Sequence, residues 1–407
     1  MREQIETNRV VIIGAGQAGV STVEALRKLG FEGEILLVGG EPYLPYQRPP
    51  LSKAYLRGDL EAGRLRLKPA SWYEANQITL RLGVPVECID RSDRAVVFTN
   101  GARIRYGQLV LATGASPRTL TPRMGGDLAG VHVIRDIEDV DRLRPDLSSG
   151  GALLIVGGGY IGLEMATVGR KFGMQVTVVE AGTRLLGRVA CPETAEYIER
   201  LHLSNGVMFR LGGQLDRLEG KGRVSSALLA SGERIAADCV VVGIGAVPNV
   251  GIAEAAGLAV DDGILVDAQG RTSDADIWAA GDCARFALVD GSVRLESVGN
   301  ACDSGTTVAG NILDLGKVYT PQPWFWSDQY DLKLQIAGQS SPGDDVVVRR
   351  SDREGLSHWY YREGRLVAVD ALSAPQAYMV GKRLLAQGHS PDQNRVADPS
   401  WPLKALI

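Results

Sequence analysis

The feature that most narrows the folds open to this chain is a long-range repeat. Arg9 to Ile13 (RVVII) is a short β-branched apolar run leading into GAGQAG, Gly14 to Gly19. Helical periodicity follows to about Leu29, then a strand, Ile35 to Val38. Far downstream, Ala152 to Val156 (ALLIV) leads into GGGYIG, Gly157 to Gly162, then a helix to about Phe172 and a strand, Gln175 to Val179. Each copy is the front half of a dinucleotide-binding unit. The first glycine (Gly14, Gly157) permits the tight turn, and the second (Gly16, Gly159) lets the backbone approach a pyrophosphate. The third (Gly19, Gly162) lets helix and strand pack closely, while the helix N-terminus offers N–H groups and a positive dipole end. Three glycines alone say little, but here each set lies between a strand and a helix, the context that confirms it. The expected fold class is α/β, with two Rossmann-like dinucleotide-binding domains.

The residues at the ends of the second strands separate the two sites. Glu180 lies where a carboxylate meets the ribose hydroxyls of a dinucleotide. A 2′-phosphate there would face like charge, a repulsion of about 4 kcal/mol at about 4 Å and an effective dielectric near 20. That favours NADH over NADPH unless Arg184 or Arg188 offsets it; the bland alternative for Glu180 is a solvated loop acid. In the first copy the acid is displaced to Glu41, one residue beyond Gly40. Leu109 to Ala115 (LVLATGA, with Ala112, Thr113 and Gly114) reads as a buried strand closing on a glycine turn. Thr272 to Asp282 (TSDADIWAAGD) reads as an extended strand ending in Gly281-Asp282, where the acid can accept bonds from a ribityl chain.

Composition removes several function classes. At about 150 residues per domain, 407 residues suggest two or three domains. A net charge of −4 argues against general nucleic-acid binding. No apolar stretch reaches the roughly 18 residues of a membrane span. The N-terminus lacks a basic leader with an apolar core, so a cytoplasmic protein is expected. Cys88, Cys191, Cys239, Cys283 and Cys302 form no CxxC pair and show no zinc spacing with the four histidines. Neither a metal site nor a dithiol relay is expected.

Beyond the glycine motifs stand YQRPPLSKAYL (Tyr46 to Leu56), GIGAVPN (Gly243 to Asn249, with Gly245), AAGDCARF, RLESVGNA (Arg294 to Ala301, with Ser297 and Val298) and WFWSDQY (Trp324 to Tyr330). With these the chain resembles the FAD-dependent pyridine-nucleotide reductases, and within them the bacterial ferredoxin reductases of the putidaredoxin-reductase type. The resemblance implies an FAD domain from residues 1–115 and 248–322, an NAD domain at 116–247, and a small C-terminal α+β domain at 323–407. In that last part Asp345 to Arg350, Ser357 to Arg362 and Arg365 to Leu372 read as antiparallel strands, two joined at Glu363-Gly364, before a helix Gln376 to Gln387.

The resemblance also implies roles. FAD and NADH would be the cofactors, and a two-iron two-sulfur ferredoxin serving a monooxygenase or dioxygenase the partner. Lys53 resembles the family lysine beside the flavin, and Glu164 the acid facing the same spot; together they would orient the nicotinamide and stabilise developing charge. Read without the family, Lys53 is a solvated lysine and Glu164 an acid complementing a helix dipole. Arg48 and Pro49 would line the flavin, Asp282 would meet the ribityl chain, and Trp326 would lie near the electron exit. Tyr160 and Ile161 fall within the second glycine motif and Gly281 beside Asp282, and all are counted with the cofactor-binding residues. Gly299 stands where relatives often carry a bulkier residue. Arg64, Arg66 and Lys68 alternate, so they would share one strand face, as a solvated surface or a dock for an acidic ferredoxin. The competing functions are a disulfide reductase, an NADH oxidase or peroxidase using Cys283, and a signalling flavoprotein resembling apoptosis-inducing factor. The missing cysteine pair and the absent basic segments weigh against them.

Overall fold

The computed structural model describes residues 8–187, 189–288, 291–351 and 353–407. The chain forms two compact units: Met1–Gln47 with Ala62–Ser116 and Ala246–Pro323, and Arg48–Glu61 with Pro117–Gly245 and Trp324–Ile407.

The first unit is built on a five-stranded parallel sheet. At its centre, β1 (Arg9–Ile13) runs through the glycine turn into α1 (Gln17–Lys28) and returns as β2 (Glu34–Gly39). Gln108–Leu111 and Ile277–Ala279 extend the sheet beyond β1, and Ile78–Leu82 extends it beyond β2. Val10 and Ile12 pack on the helical layer with Val23, Leu26 and Trp278, while Val11 and Ile13 pack on the opposite side with Phe98, Phe286 and Tyr319. A sheet buried on both faces explains why its inner strands read as continuous apolar runs, Val10–Ile13, Ile35–Val38 and Leu109–Leu111, rather than alternating. The helix Val298–Ile312 lies against α1, and Gly305 makes that approach possible: a Cβ there would stand 2.7 Å from the Ala18 carbonyl oxygen.

Two expectations about this unit fail. Strand structure in the 272–282 run is confined to Ile277–Ala279. The polar residues before it fold into a turn, in which the Thr272 hydroxyl donates to the Ile277 carbonyl at 2.8 Å and Asp274 accepts from the Asp276 amide. Nor do Arg64, Arg66 and Lys68 share a strand face. Ala62–Leu65 is a 3-10 turn, Arg66 makes one isolated bridge to Tyr46, and Lys68 turns back to Glu24 at 2.9 Å. With Gly63 and Pro69 flanking the segment, alternating charge carried no strand.

The second unit repeats the first layout. Around β3 (Ala152–Val156), α2 (Tyr160–Lys171) and β4 (Gln175–Glu180), a parallel sheet is completed by Met208–Leu211 beyond β4 and by Cys239–Val242 and Val131–His132 beyond β3. The same unit holds a five-stranded antiparallel sheet in the order Trp324–Gln329, Leu332–Gly338, Arg365–Leu372, Gly355–Arg362, Asp345–Ser351. Its hairpin turns at Glu363-Gly364, both with positive φ (50° and 74°), the backbone a two-residue hairpin favours. The helix Pro375–Gln387 follows. Leu163, Leu186 and Ile198 meet Leu334, Ile336 and Leu372 in one apolar cluster, which seats the antiparallel sheet against α2. Among the described residues no helix is long and apolar enough to cross a membrane.

A buried polar knot accompanies that cluster. The Asp370 carboxyl is fully buried, accepts from the Thr194 hydroxyl at 2.8 Å and from the Tyr360 hydroxyl, and leaves Oδ1 without a partner among the described residues. Burial raises its pKa to about 7. His358, lowered to about 4 by burial, stays neutral beside it, as do the thiol of Cys191 and the phenol of Tyr360, both pushed up. An acid raised above its unfolded value of about 4 holds more protons in the native state between those two pH values, so stability falls as pH rises through that window. Asp370→Asn should flatten this dependence: thermal unfolding at pH 5 and pH 8 should show the wild type losing ground to the variant at the higher pH. Parallel curves would mean that Asp370 does not titrate there.

Candidate functional site

Both glycine turns are shaped by carbonyl oxygens that leave no room for a side chain. Gly14 has φ +118°, and a Cβ there would lie 2.0 Å from the Ala112 oxygen; Gly157 has φ +108°, and its Cβ would lie 2.3 Å from the Gly243 oxygen. At Gly19 and Gly162 a Cβ would meet the oxygens of Gly14 and Gly157 at 2.0 and 2.1 Å. At Gly16 and Gly159, the helix N-caps, a Cβ would meet nothing within 4 Å among the described residues, and neither helix carries a side-chain cap there. Each helix therefore presents uncapped N–H groups to open space beside a residue without a side chain, which fits a pyrophosphate. Ile161 stands exposed in the first turn of α2.

The likeness extends to a segment the sequence reading left unmatched. Gln108–Leu111 runs into Ala112-Thr113-Gly114, and Cys239–Val242 runs into Gly243-Ile244-Gly245. The Ala112 amide donates to Ile13 and the Gly243 amide to Val156, both at 2.7 Å. LATGASP against GIGAVP was the visible signal. In the first unit this turn is clasped by Asn249, whose side chain donates to the Thr113 carbonyl at 2.9 Å while the Thr113 hydroxyl donates to the Asn249 carbonyl at 2.6 Å.

Around the first turn, Glu41 accepts from the Tyr46 hydroxyl. Gly281, with φ +78°, lies close enough to α1 that its Cβ would stand 2.8 Å from that of Ala18, and this sets Asp282 beside the same helix. Ser297 caps the helix that begins at Val298, accepting from the Asn300 amide at 3.1 Å. In the second unit Glu180 is pinned by two backbone donors, Gly158 and Gly182, each at 2.6 Å. A carboxylate has about four acceptor positions, so sites remain for ribose hydroxyls. Arg184 is committed to its own loop, donating to Ala190 at 2.6 Å and Gly187 at 2.9 Å. Arg188 lies outside the described residues.

Lys53 and Glu164 meet. The Lys53 ammonium lies 2.7 Å from Glu164 Oε2, which also accepts from the Ser52 hydroxyl at 2.5 Å, and Oε1 accepts from the Ser327 hydroxyl at 2.7 Å. Glu164 is buried, so neither a solvated lysine nor a surface dipole acid describes this arrangement. The short Pro49–Ser52 3-10 turn delivers Ser52 and Lys53 together, and Arg48 just before it donates to the Arg135 carbonyl at 2.5 Å. Trp324–Gln329 supplies the rest by its alternation. Phe325 packs on Tyr160 (ring centroids 4.3 Å apart), and Ser327 and Gln329 follow on the same face. On the other face Trp326 stacks on Trp324 at 5.5 Å, with the Lys382 ammonium 4.7 Å from the Trp324 ring centre.

All five cysteines are unpaired. Cys283 is buried, donates weakly to Leu111 and Ala280 at 3.4 Å, and its thiol is pushed up by burial, the opposite of an activated nucleophile. Among the described residues two Cys/His/Asp groups come close together: His132, Asp146 and Cys239, and Cys191, His358 and Asp370. In the first, the Arg223 guanidinium binds Asp146 at 2.5 Å; in the second, the Thr194 hydroxyl is 2.6 Å from His358 Nδ1 and 2.8 Å from Asp370.

Two glycine-turn sites on two parallel sheets, joined in one chain to a lysine paired with a buried glutamate, define an oxidoreductase that works with two dinucleotides. Residues 8–305 match the family "Pyridine nucleotide-disulphide oxidoreductase" and residues 324–407 match "Reductase C-terminal"; the chain belongs to the first family and carries the second as its C-terminal part. It is 42% identical over 404 residues to a ferredoxin–NAD(P)(+) reductase of Sphingomonas, covering 98% of this chain and 97% of that one. It is 39% identical to the putidaredoxin reductase of Pseudomonas putida over 98% and 97% of the two chains. The reductase of a covalent putidaredoxin reductase–putidaredoxin complex superposes with a TM-score of 0.93 at 38% identity, over 98% of each chain.

Gly162→Ala should test the close approach directly. The new methyl must displace the Gly157 carbonyl, at a cost of about 1–3 kcal/mol. Thermal unfolding should fall and NADH affinity should drop while FAD stays bound; unchanged NADH affinity would mean the turn relaxes freely.

Proposed function

We propose that this protein is an NADH-dependent ferredoxin reductase that takes reducing equivalents from NADH and delivers them singly to a two-iron two-sulfur ferredoxin serving a monooxygenase or dioxygenase. The observation that carries the reading is the chain-long likeness to reductases named for ferredoxin-type acceptors, which includes the C-terminal part. Bound FAD supplies the chemistry, because a flavin accepts a hydride and releases electrons one at a time, as an iron–sulfur centre requires.

The chain's own residues do the rest. FAD is held by residues 1–115 and 248–322, through the turn Gly14, Gly16 and Gly19, with Glu41, Ala112, Thr113, Gly114, Gly281, Asp282, Ser297 and Val298, and with Arg48 and Pro49 lining its ring. NADH is held by residues 116–247, through Gly157, Gly159, Tyr160, Ile161, Gly162 and Gly245, with Arg188 counted among its contacts. Glu180 accepts from its ribose hydroxyls and repels a 2′-phosphate. Lys53 and Glu164 orient the nicotinamide and balance charge as the hydride leaves. Residues 323–407 form the C-terminal domain, and its Trp326 lies near the electron exit. A cytoplasmic working place suits a donor that is made and recycled inside the cell.

The deciding measurement is steady-state reduction of a purified two-iron ferredoxin with NADH and with NADPH, a one-iron rubredoxin serving as control acceptor. Rapid NADH-driven turnover with NADPH poor supports the reading, and Glu180→Ala should narrow the NADH preference by about tenfold, a modest part of the like-charge repulsion. Flavin reduction without ferredoxin turnover would instead favour an oxidase or a signalling flavoprotein. Lys53→Met should slow flavin reduction by NADH about 10- to 100-fold in stopped flow, the scale of one lost electrostatic contact at a reacting centre. An unchanged rate removes Lys53 from the mechanism.

A further inference from the structure

Glu164 is the end of a hydrogen-bond chain whose direction is fixed by valence. A hydroxyl has one proton to give, and Ser327 gives it to Glu164 Oε1 at 2.7 Å, a carboxylate already paired with the Lys53 ammonium. Ser327 Oγ can then only accept from its next neighbour, Gln329, so the amide nitrogen of Gln329 must face it, at 2.9 Å. That fixes the amide the other way round at its far end: Gln329 Oε1 faces the Thr167 hydroxyl at 3.3 Å and His202 Nε2 at 3.0 Å, and both must donate. His202 must therefore carry its proton on Nε2. Its Nδ1 is buried and has no partner among the described residues. Burial also lowers the His202 pKa to about 4, so the ring is neutral and Nδ1 is bare. Every side chain in the series is buried, and only the Lys53 end is partly open.

We propose that Ser327, Gln329 and His202 are positioning residues for hydride transfer, a one-way relay of donors that holds the Glu164 carboxylate in the plane and rotamer in which it meets Lys53. The inference rests on the reductase reading above for its catalytic meaning, and on the geometry alone for the direction of the chain. Three features favour a positioning role over simple satisfaction of buried groups. The donors all point toward the one residue paired with Lys53. They come from a strand and two helices, rigid elements that hold a side chain more closely than loops do. A chain of aligned donors strengthens each bond along it.

The test uses the FAD-loaded protein labelled with 15N-histidine, the His202 signals among the four histidines being assigned with His202→Asn. In the wild type His202 should be a neutral ring protonated on Nε2 from pH 6 to pH 8. Ser327→Ala removes the acceptor that orients Gln329, so the amide can rotate and His202 should become a mixture of tautomers. In the same variant, stopped-flow reduction by NADH should slow about tenfold, the rate equivalent of one hydrogen bond to a charged group, with NADH affinity changed less than about twofold. Ser327→Thr keeps the hydroxyl and should restore both readings. A wild-type His202 protonated on Nδ1, or a tautomer unmoved in Ser327→Ala, overturns the chain. A reduction rate unmoved in Ser327→Ala, or a loss confined to NADH affinity, overturns the positioning role. The tautomer reading needs no NADH, so it stands apart from failure of the reductase reading, which would show as a wild-type flavin that NADH does not reduce.

Discussion

A carboxylate as deeply buried as Glu164 cannot remain there unless other parts of the chain come to it. Leaving such a charge without its partner costs about 3–5 kcal/mol, a large share of the 5–15 kcal/mol that holds a domain together. Glu164 is met by Ser52 and Lys53, more than a hundred residues before it, and by Ser327, more than a hundred and fifty after it. Three separate features of the second unit meet at this one buried acid. The Pro49–Ser52 turn presents two neighbouring donors, Ser52 at its end and Lys53 just after it. The start of α2 is fixed by the glycine turn, which sets the height of Glu164 on its helix. The edge strand Trp324–Gln329 lies in the one register that points Ser327 inward.

A different constraint shapes the two dinucleotide turns, and it is one of exclusion. The carbonyls of Ala112 and Gly243 occupy the space a side chain would need at Gly14 and Gly157, so each turn is closed by a neighbouring strand as well as by its own glycines. The cofactor-binding geometry is therefore a property of three strands, not of the local motif. It also explains why the third segment of each unit, LATGA and GIGA, has the same bonds to the central strand at the same distances.

What could be read from the sequence was what is local. The two strand–turn–helix–strand units fell within a residue or two of their observed ends because glycine spacing and apolar runs are decided over a dozen residues. Likewise the Glu363-Gly364 hairpin carried its own turn chemistry. Misreadings came where polar side chains outbid an apparent pattern. Thr272 and Asp274 bond to nearby backbone groups and fold residues 272–276 into a turn, which side chains of this kind do whenever an acceptor or amide is within reach. Arg64, Arg66 and Lys68 alternate in sequence, but Lys68 finds Glu24 and the ring of Trp72 instead of a common face. The pairing of Lys53 with Glu164 had no signal apart from family likeness, since nothing local links residues so far apart. His202 had none at all: a single histidine on a helix looks like any other until the fold shows what stands opposite its ring.

The strand Trp324–Gln329 ties these observations together through its pleat. Alternation sends Phe325, Ser327 and Gln329 toward α2, where they seat Tyr160 and complete the contacts of Glu164, and sends Trp324 and Trp326 to the opposite face, where they stack on each other. On the proposed function these faces serve the two halves of the reaction: the polar face prepares hydride acceptance, and the aromatic face serves electron release. A slip of one residue would exchange the faces, placing two indoles against a buried carboxylate and a serine and a glutamine in the aromatic stack. The register is held against that slip by an unbroken six-pair ladder to Leu332–Gly338, from Trp324 opposite Ala337 to Gln329 opposite Leu332. The next strand inward, Arg365–Leu372, carries Asp370 into the buried knot with Thr194, so the same sheet is tied to the dinucleotide-binding part of its unit by polar contacts at two depths. Neither contact could shift without stranding a buried polar group, and that fixes the position of a strand at the edge of its sheet against Glu164.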